Sequence, residues 1–137
     1  MKITKSKKKI SAIVLGLGIL ASQSAFATYS SYGTFEVTAG STQTATTTGS
    51  WLKQVKETDG DKAKFYASSK TMYTDPNARI VNSDGEKRSN WVEIKTTDEA
   101  YTATDNIGTK NYNYYAQVKP DSWQRGTDTI KLKFDPQ

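Results

Sequence analysis

Hydrophobic and polar residues alternate with a period of two in several short stretches, and no stretch sustains a 3.6-residue period between helix caps. In residues 33–38, Phe35 and Val37 fall on one side. In residues 62–68, Phe65 and Ala67 face one way and Lys64 and Tyr66 the other. The clearest strands come last. Tyr112, Tyr114, Ala116 and Val118 share a face in 112–118; Ile130, Leu132 and Phe134 oppose Thr129, Lys131 and Lys133 in 129–134. Shorter candidates are 51–55, 79–82 and 91–95, and 41–48 is a Thr-rich strand with Thr42, Thr44, Thr46 and Thr48 on one side. Turn residues punctuate the series: Asp59-Gly60-Asp61, Asp84-Gly85-Glu86 and Asn106-Ile107-Gly108 tolerate positive φ, and Pro76 presets φ in Asp75-Pro76-Asn77. Short strands with regular turns predict an all-β chain, a single antiparallel β-sandwich of about seven or eight strands.

The first residues follow a different pattern. Lys2, Lys5, Lys7, Lys8 and Lys9 precede an apolar run from Ile10 to Ala21, and Ala25-Phe26-Ala27 supplies the small-x-small site of a signal peptidase, with Ala25 and Ala27 as its determinants. The run is short of the ~20 residues that a spanning helix needs. Residues 1–27 therefore read as a cleaved signal peptide, and 28–137 as one secreted domain with no membrane span, its segment 28–31 a loose leader. The expected location is extracellular, free or associated with the cell wall. The five leader lysines account for the whole formal charge of +5. Without them basic residues match the 14 acidic ones, so nucleic acid is not the expected partner.

Composition narrows the chemistry further. The chain has no Cys and no His. Disulfides, thiolate metal sites, thiol nucleophiles and the commonest general base are excluded with them, and a Ser-His-Asp or Cys-His site cannot be built. The expectation is a protein that is not an enzyme and carries no cofactor or metal. Glu57, Asp59 and Asp61, and the pair Asp84 and Glu86, are read as solvated turns; the Ca²⁺-loop pattern is absent. Glu93 and the pair Asp98 and Glu99 could act as glycosidase carboxylates only if a cleft held them together.

Binding residues are sought among the aromatics. Trp123 lies in Pro120-Asp121-Ser122-Trp123-Gln124-Arg125-Gly126, a connection longer than an ordinary hairpin loop. Asp121, Trp123 and Arg125 there form a candidate recognition tip; the competing reading has Trp123 plugging the end of the sandwich. Trp91 alternates with Val92 and Ile94 and joins the candidate ligand-binding set on the opposite face. The Thr-rich run reads as a polar edge strand. Lys62, Lys64, Lys131 and Lys133 would form one basic face if their strands were neighbours, suited to anionic wall polymers.

The stretches Asn113-Tyr114-Tyr115-Ala116-Gln117-Val118-Lys119 and Gly126-Thr127-Asp128-Thr129-Ile130-Lys131-Leu132 resemble the endings of an uncharacterised family of short secreted Gram-positive β-sandwich proteins. Tyr29-Ser30-Ser31-Tyr32-Gly33 is similar to the start of lactococcin 972-type bacteriocins, although this chain is longer and lacks their His content. Both resemblances imply an exported β-sandwich, and neither transfers a site residue. The expected function is a non-catalytic binding module, its partner a cell-wall polymer or a surface protein. The alternative is a bacteriocin-like effector acting on related bacteria.

Overall fold

Ile130, Leu132 and Phe134 are buried, and Lys131 between them is exposed, so alternation along the last strand is realised in three dimensions. The computed structural model describes residues 29–44, 53–71 and 74–137. The leader with Ala25 and Ala27, together with Thr46, Thr48 and Trp51, lies outside the described residues. The strands are β1 (Gly33–Thr38), β2 (Gln43–Thr44), β3 (Lys53–Val55), β4 (Lys64–Lys70), β5 (Asn77–Val81), β6 (Val92–Glu93), β7 (Ala100–Thr102), β8 (Asn113–Lys119) and β9 (Thr127–Asp135).

They form two antiparallel sheets. One runs β1-β9-β4-β7; the other runs β2-β8-β5-β6, with β3 also on β8. Phe35, Val37, Phe65, Ala67, Ile130, Leu132 and Phe134 from the first sheet meet Ala78, Ile80, Tyr114, Ala116 and Val118 from the second in one buried cluster. The architecture is therefore a β-sandwich, as the alternation predicts. Each fully buried Phe, Ile or Leu contributes roughly 1.5–3 kcal/mol through removal of apolar surface from water.

Nine described strands exceed the seven or eight expected. β2 and β3 share one edge of β8, Thr44 facing Gln117 and Lys53 facing Tyr115. β7 closes the free edge of β4 with three residues. Beyond that pairing β4 bulges: Ala67 faces Leu132 and Ser69 faces Lys131, leaving Ser68 extra. The main-chain oxygen of Ala67 then accepts from Asp98 N at 2.8 Å.

Two expectations are corrected. Tyr112 is not inward but 64% exposed, because the left-handed turn at Asn111 (φ 69°) precedes a strand that starts at Asn113. Residues 29–31 are no loose leader. Ser30 is buried; its N–H donates to Phe134 O at 2.7 Å, and its Oγ accepts from Phe134 N at 3.0 Å. Those two bonds carry the β1 side of the sheet past Gly33 along β9.

Candidate functional site

The connection from β8 to β9 is long because it must cross one end of the sandwich, and its residues divide into anchors and a tip. Gln124 is the anchor. It is buried, and its Oε1 accepts from Thr74 Oγ1 at 2.6 Å while its Nε2 donates to Asp128 Oδ2 at 2.6 Å and to Arg125 O at 3.3 Å. Asp128 is itself held by Thr71, whose Oγ1 donates to Oδ1 at 3.3 Å. Main-chain bonds add to this: Gln124 N to Asp121 O at 3.1 Å, and Ala39 N to Gly126 O at 3.2 Å. Gly126 stands at φ 74°, a left-handed conformation that suits glycine and lets the chain re-enter the sheet.

Upon this base Trp123 is 79% exposed. The reading in which it plugs the sandwich is overturned: the buried position at this end belongs to Gln124, whose polar atoms find partners there. Arg125 is exposed beside it, and the Asp121 carboxylate accepts from the N–H and hydroxyl of Ser122, shaping the loop's first turn. Clefts lie on both sides of Gln124. One, of about 200 Å³, is lined by Thr74, Trp123, Gln124, Arg125 and Asp128. The other, of about 330 Å³, brings Ser41 and Thr42 of the β1–β2 turn to Lys119, Asp121 and Ser122.

Trp91 is half-buried on the outer face of the five-stranded sheet, where its alternation with the partly buried Val92 and the buried Ile94 puts it. The Arg79 guanidinium lies 4.3 Å from its ring centroid and the Lys119 ammonium 4.6 Å. Lys119 also lines the cleft with Asp121, so it links Trp91 to the loop. Burial lowers the Arg79 guanidinium pKa from its ordinary value.

The basic face is realised differently from the expectation. β4 and β9 are neighbours, but Tyr66 stands opposite Lys133. The Lys133 ammonium lies 4.7 Å from the ring centroid of Tyr29, 5.1 Å from that of Tyr32 and 4.9 Å from that of Tyr66, and Lys131 lies 5.6 Å from that of Tyr32. Three tyrosines thus surround one of the protein's own lysines. Outward alternation of Tyr66 and Lys133 was legible; the arrival of Tyr29 and Tyr32 beside them was not.

The candidate carboxylates have partners of their own. Glu93 pairs with Lys95 at 3.5 Å, Asp98 accepts from Tyr66 Oη at 3.3 Å, and Glu99 accepts from Thr96 Oγ1 at 2.8 Å. Among the described residues no group of three or more acids converges as a metal site, and no helix is long and apolar enough to cross a membrane. No protein-family model matches this chain, and no curated protein matches it.

Proposed function

We propose that the protein is an exported, non-catalytic binding module acting at the cell envelope or in the surrounding medium, with Trp123 as the anchor of its contact surface. The observation that carries this reading is an exposed tryptophan on a loop pinned from beneath by Gln124. An exposed large aromatic on an ordered loop offers contact area without the ordering cost of a mobile one. Arg125 adds a positive group in the same cleft as the indole, Asp121 lines the cleft across Gln124, and a wall polymer or a surface protein is the partner that suits them. Export is supported by the leader pattern ending at Ala27, two residues before Tyr29 packs on Lys133.

The test is co-sedimentation of the purified protein with intact Gram-positive cells and with isolated wall sacculi. Saturable pelleting that Trp123→Ala abolishes supports the reading. Protein that stays in the supernatant with both sinks it and leaves the bacteriocin-like effector, which growth inhibition of related strains would then reveal.

A further inference from the structure

The outer face of the five-stranded sheet brings together positive groups that form no ion pair among the described residues. Arg79 and Lys119 hold their charged groups 4.3 and 4.6 Å from one and the same Trp91 ring centroid. Like charges drawn to one ring repel, and at a partly buried site solvent screens that repulsion incompletely. The ring's negative face offsets part of the cost. Among the described residues no ion pair joins a carboxylate to either cation: the pairs are Lys70 with Asp75, Arg88 with Glu86 and Lys95 with Glu93, and Asp121, which lines a cleft with Lys119, instead accepts from Ser122. Glu93 does share this face by register, opposite Asn77, but it is the acid that Lys95 engages.

The cations are also positioned. Arg79 Nε donates to Gln117 Oε1 at 2.7 Å, and Gln117 Nε2 donates to Thr44 Oγ1 at 3.2 Å. Register places Thr44, Gln117 and Arg79 in one cross-strand row, so the relay follows from the fold. It uses Nε, and among the described residues neither Nη group is hydrogen-bonded, so the fork can serve another acceptor. Lys53, opposite Tyr115, puts a further positive charge in the adjacent row.

We propose that this face binds phosphate groups carried along a sugar or polyol chain, with Arg79 and Lys119 sharing one phosphate and Trp91 serving as the shelf that holds both cations. Phosphate oxygens lie tetrahedrally, so one group can meet the fork of Arg79 and the ammonium of Lys119 together, whereas the two oxygens of a planar carboxylate match a single fork. Positive groups recur along the strands at Lys53, Arg79 and Lys119, which suits a linear polyanion better than a lone ion. The inference rests on the protein being a binding module, but not on Trp123.

The experiment is calorimetric titration of the purified protein with poly(glycerol phosphate), with dextran as the neutral comparison and polygalacturonate as the carboxylate one. Poly(glycerol phosphate) is expected to bind, to bind more weakly as salt rises, and to lose about tenfold in affinity with Arg79→Gln or Lys119→Gln. If Arg79→Gln unfolds the protein, Lys119→Gln alone decides. Absence of binding, binding indifferent to these substitutions, or equal binding of dextran or polygalacturonate would overturn the proposal. Polymer binding without cell pelleting sinks the Trp123 reading alone; pelleting without polymer binding sinks this one alone.

Discussion

The ammonium of Lys56 donates to the main-chain oxygen of Gln137 at 2.5 Å, across 81 positions of sequence. The same group donates to Asp61 O at 2.9 Å and Pro136 O at 3.2 Å, and the Lys56 side chain is fully buried. Asn106 Nδ2 reaches the same two carbonyls, of Asp61 and Pro136, at 2.8 Å each. One lysine and one asparagine thereby tie the β3–β4 and β7–β8 connections to the end of β9. Lys56→Met keeps most of the apolar stem and removes the ammonium: Gln137 O loses this donor, while Asp61 O and Pro136 O keep the bonds from Asn106. It should cost about 1–3 kcal/mol in urea unfolding. A loss below about 1 kcal/mol would mean that other donors replace the ammonium.

Gly108 lies against this knot. A Cβ added there would stand 2.9 Å from Asn106 Oδ1, 3.1 Å from Tyr114 Cζ and 3.3 Å from Lys56 Cδ. Tyr114 cannot retreat easily, because its hydroxyl accepts from Thr109 N at 2.6 Å and donates to Thr109 O at 3.1 Å. Gly108→Ala should destabilise by roughly 1–3 kcal/mol through overpacking. Unfolding at the wild-type denaturant midpoint would show that the knot yields.

Asp135 supplies the pH test. Its carboxylate is buried; Oδ1 accepts from Gln137 N at 2.8 Å, and Oδ2 has no hydrogen-bond partner among the described residues. Burial is the largest cause pushing its pKa above the ordinary aspartate value, opposed by the hydrogen bonds from Gln137, while nearby Glu57 pushes the same way and Lys64 opposes. The folded state therefore holds this proton more tightly than the unfolded state. Its contribution to stability is fully present below the unfolded pKa of 3.8 and is lost as pH rises through the raised folded value. Relative to Asp135→Asn, the wild type should gain melting temperature as pH falls from neutral into the acid range. A difference that stays constant with pH would refute the assignment.

The loop separates stability from recognition. Trp123→Ala should leave unfolding free energy within about 0.5 kcal/mol of wild type, because the ring is exposed. Gln124→Ala should cost about 1–3 kcal/mol, since it removes the bonds of Thr74 Oγ1 and of Asp128 Oδ2 and leaves Asp128 only its bond from Thr71. Thermal melts of the two variants decide this; equal losses would mean that Trp123 packs after all.

Much of the fold was legible because its inward residues are consecutive alternators: Phe35 with Val37, Phe65 with Ala67, and Ile130 through Phe134 all point where period two sends them. β7 was not legible. Ala100-Tyr101-Thr102 has no apolar alternation and pairs only because β4 offers it a free edge, with Tyr101 partly buried against the core. Lys56 was missed because a lysine is almost never fully buried unless its charge finds partners, and here the partners come from residues 61, 136 and 137. The outward aim of Trp91 could be read; its company could not. Arg79 and Lys119 reach it through the pairing of β5 with β8, and register between strands so far apart leaves no local trace.

The position of β9 sets an order of events. β9 follows β1 and β4 in sequence yet lies between them, and its residues pair with both, Gly33 facing Leu132 and Phe65 facing Phe134. A chain that emerges amino end first therefore carries β1 and β4 with open edges until Thr127–Asp135 arrives. Such non-local closure slows folding and holds the earlier strands apart from their final partner. The four-stranded sheet can close only after residues 127–135 have arrived, so β1 and β4 spend the interval without the neighbour that joins them.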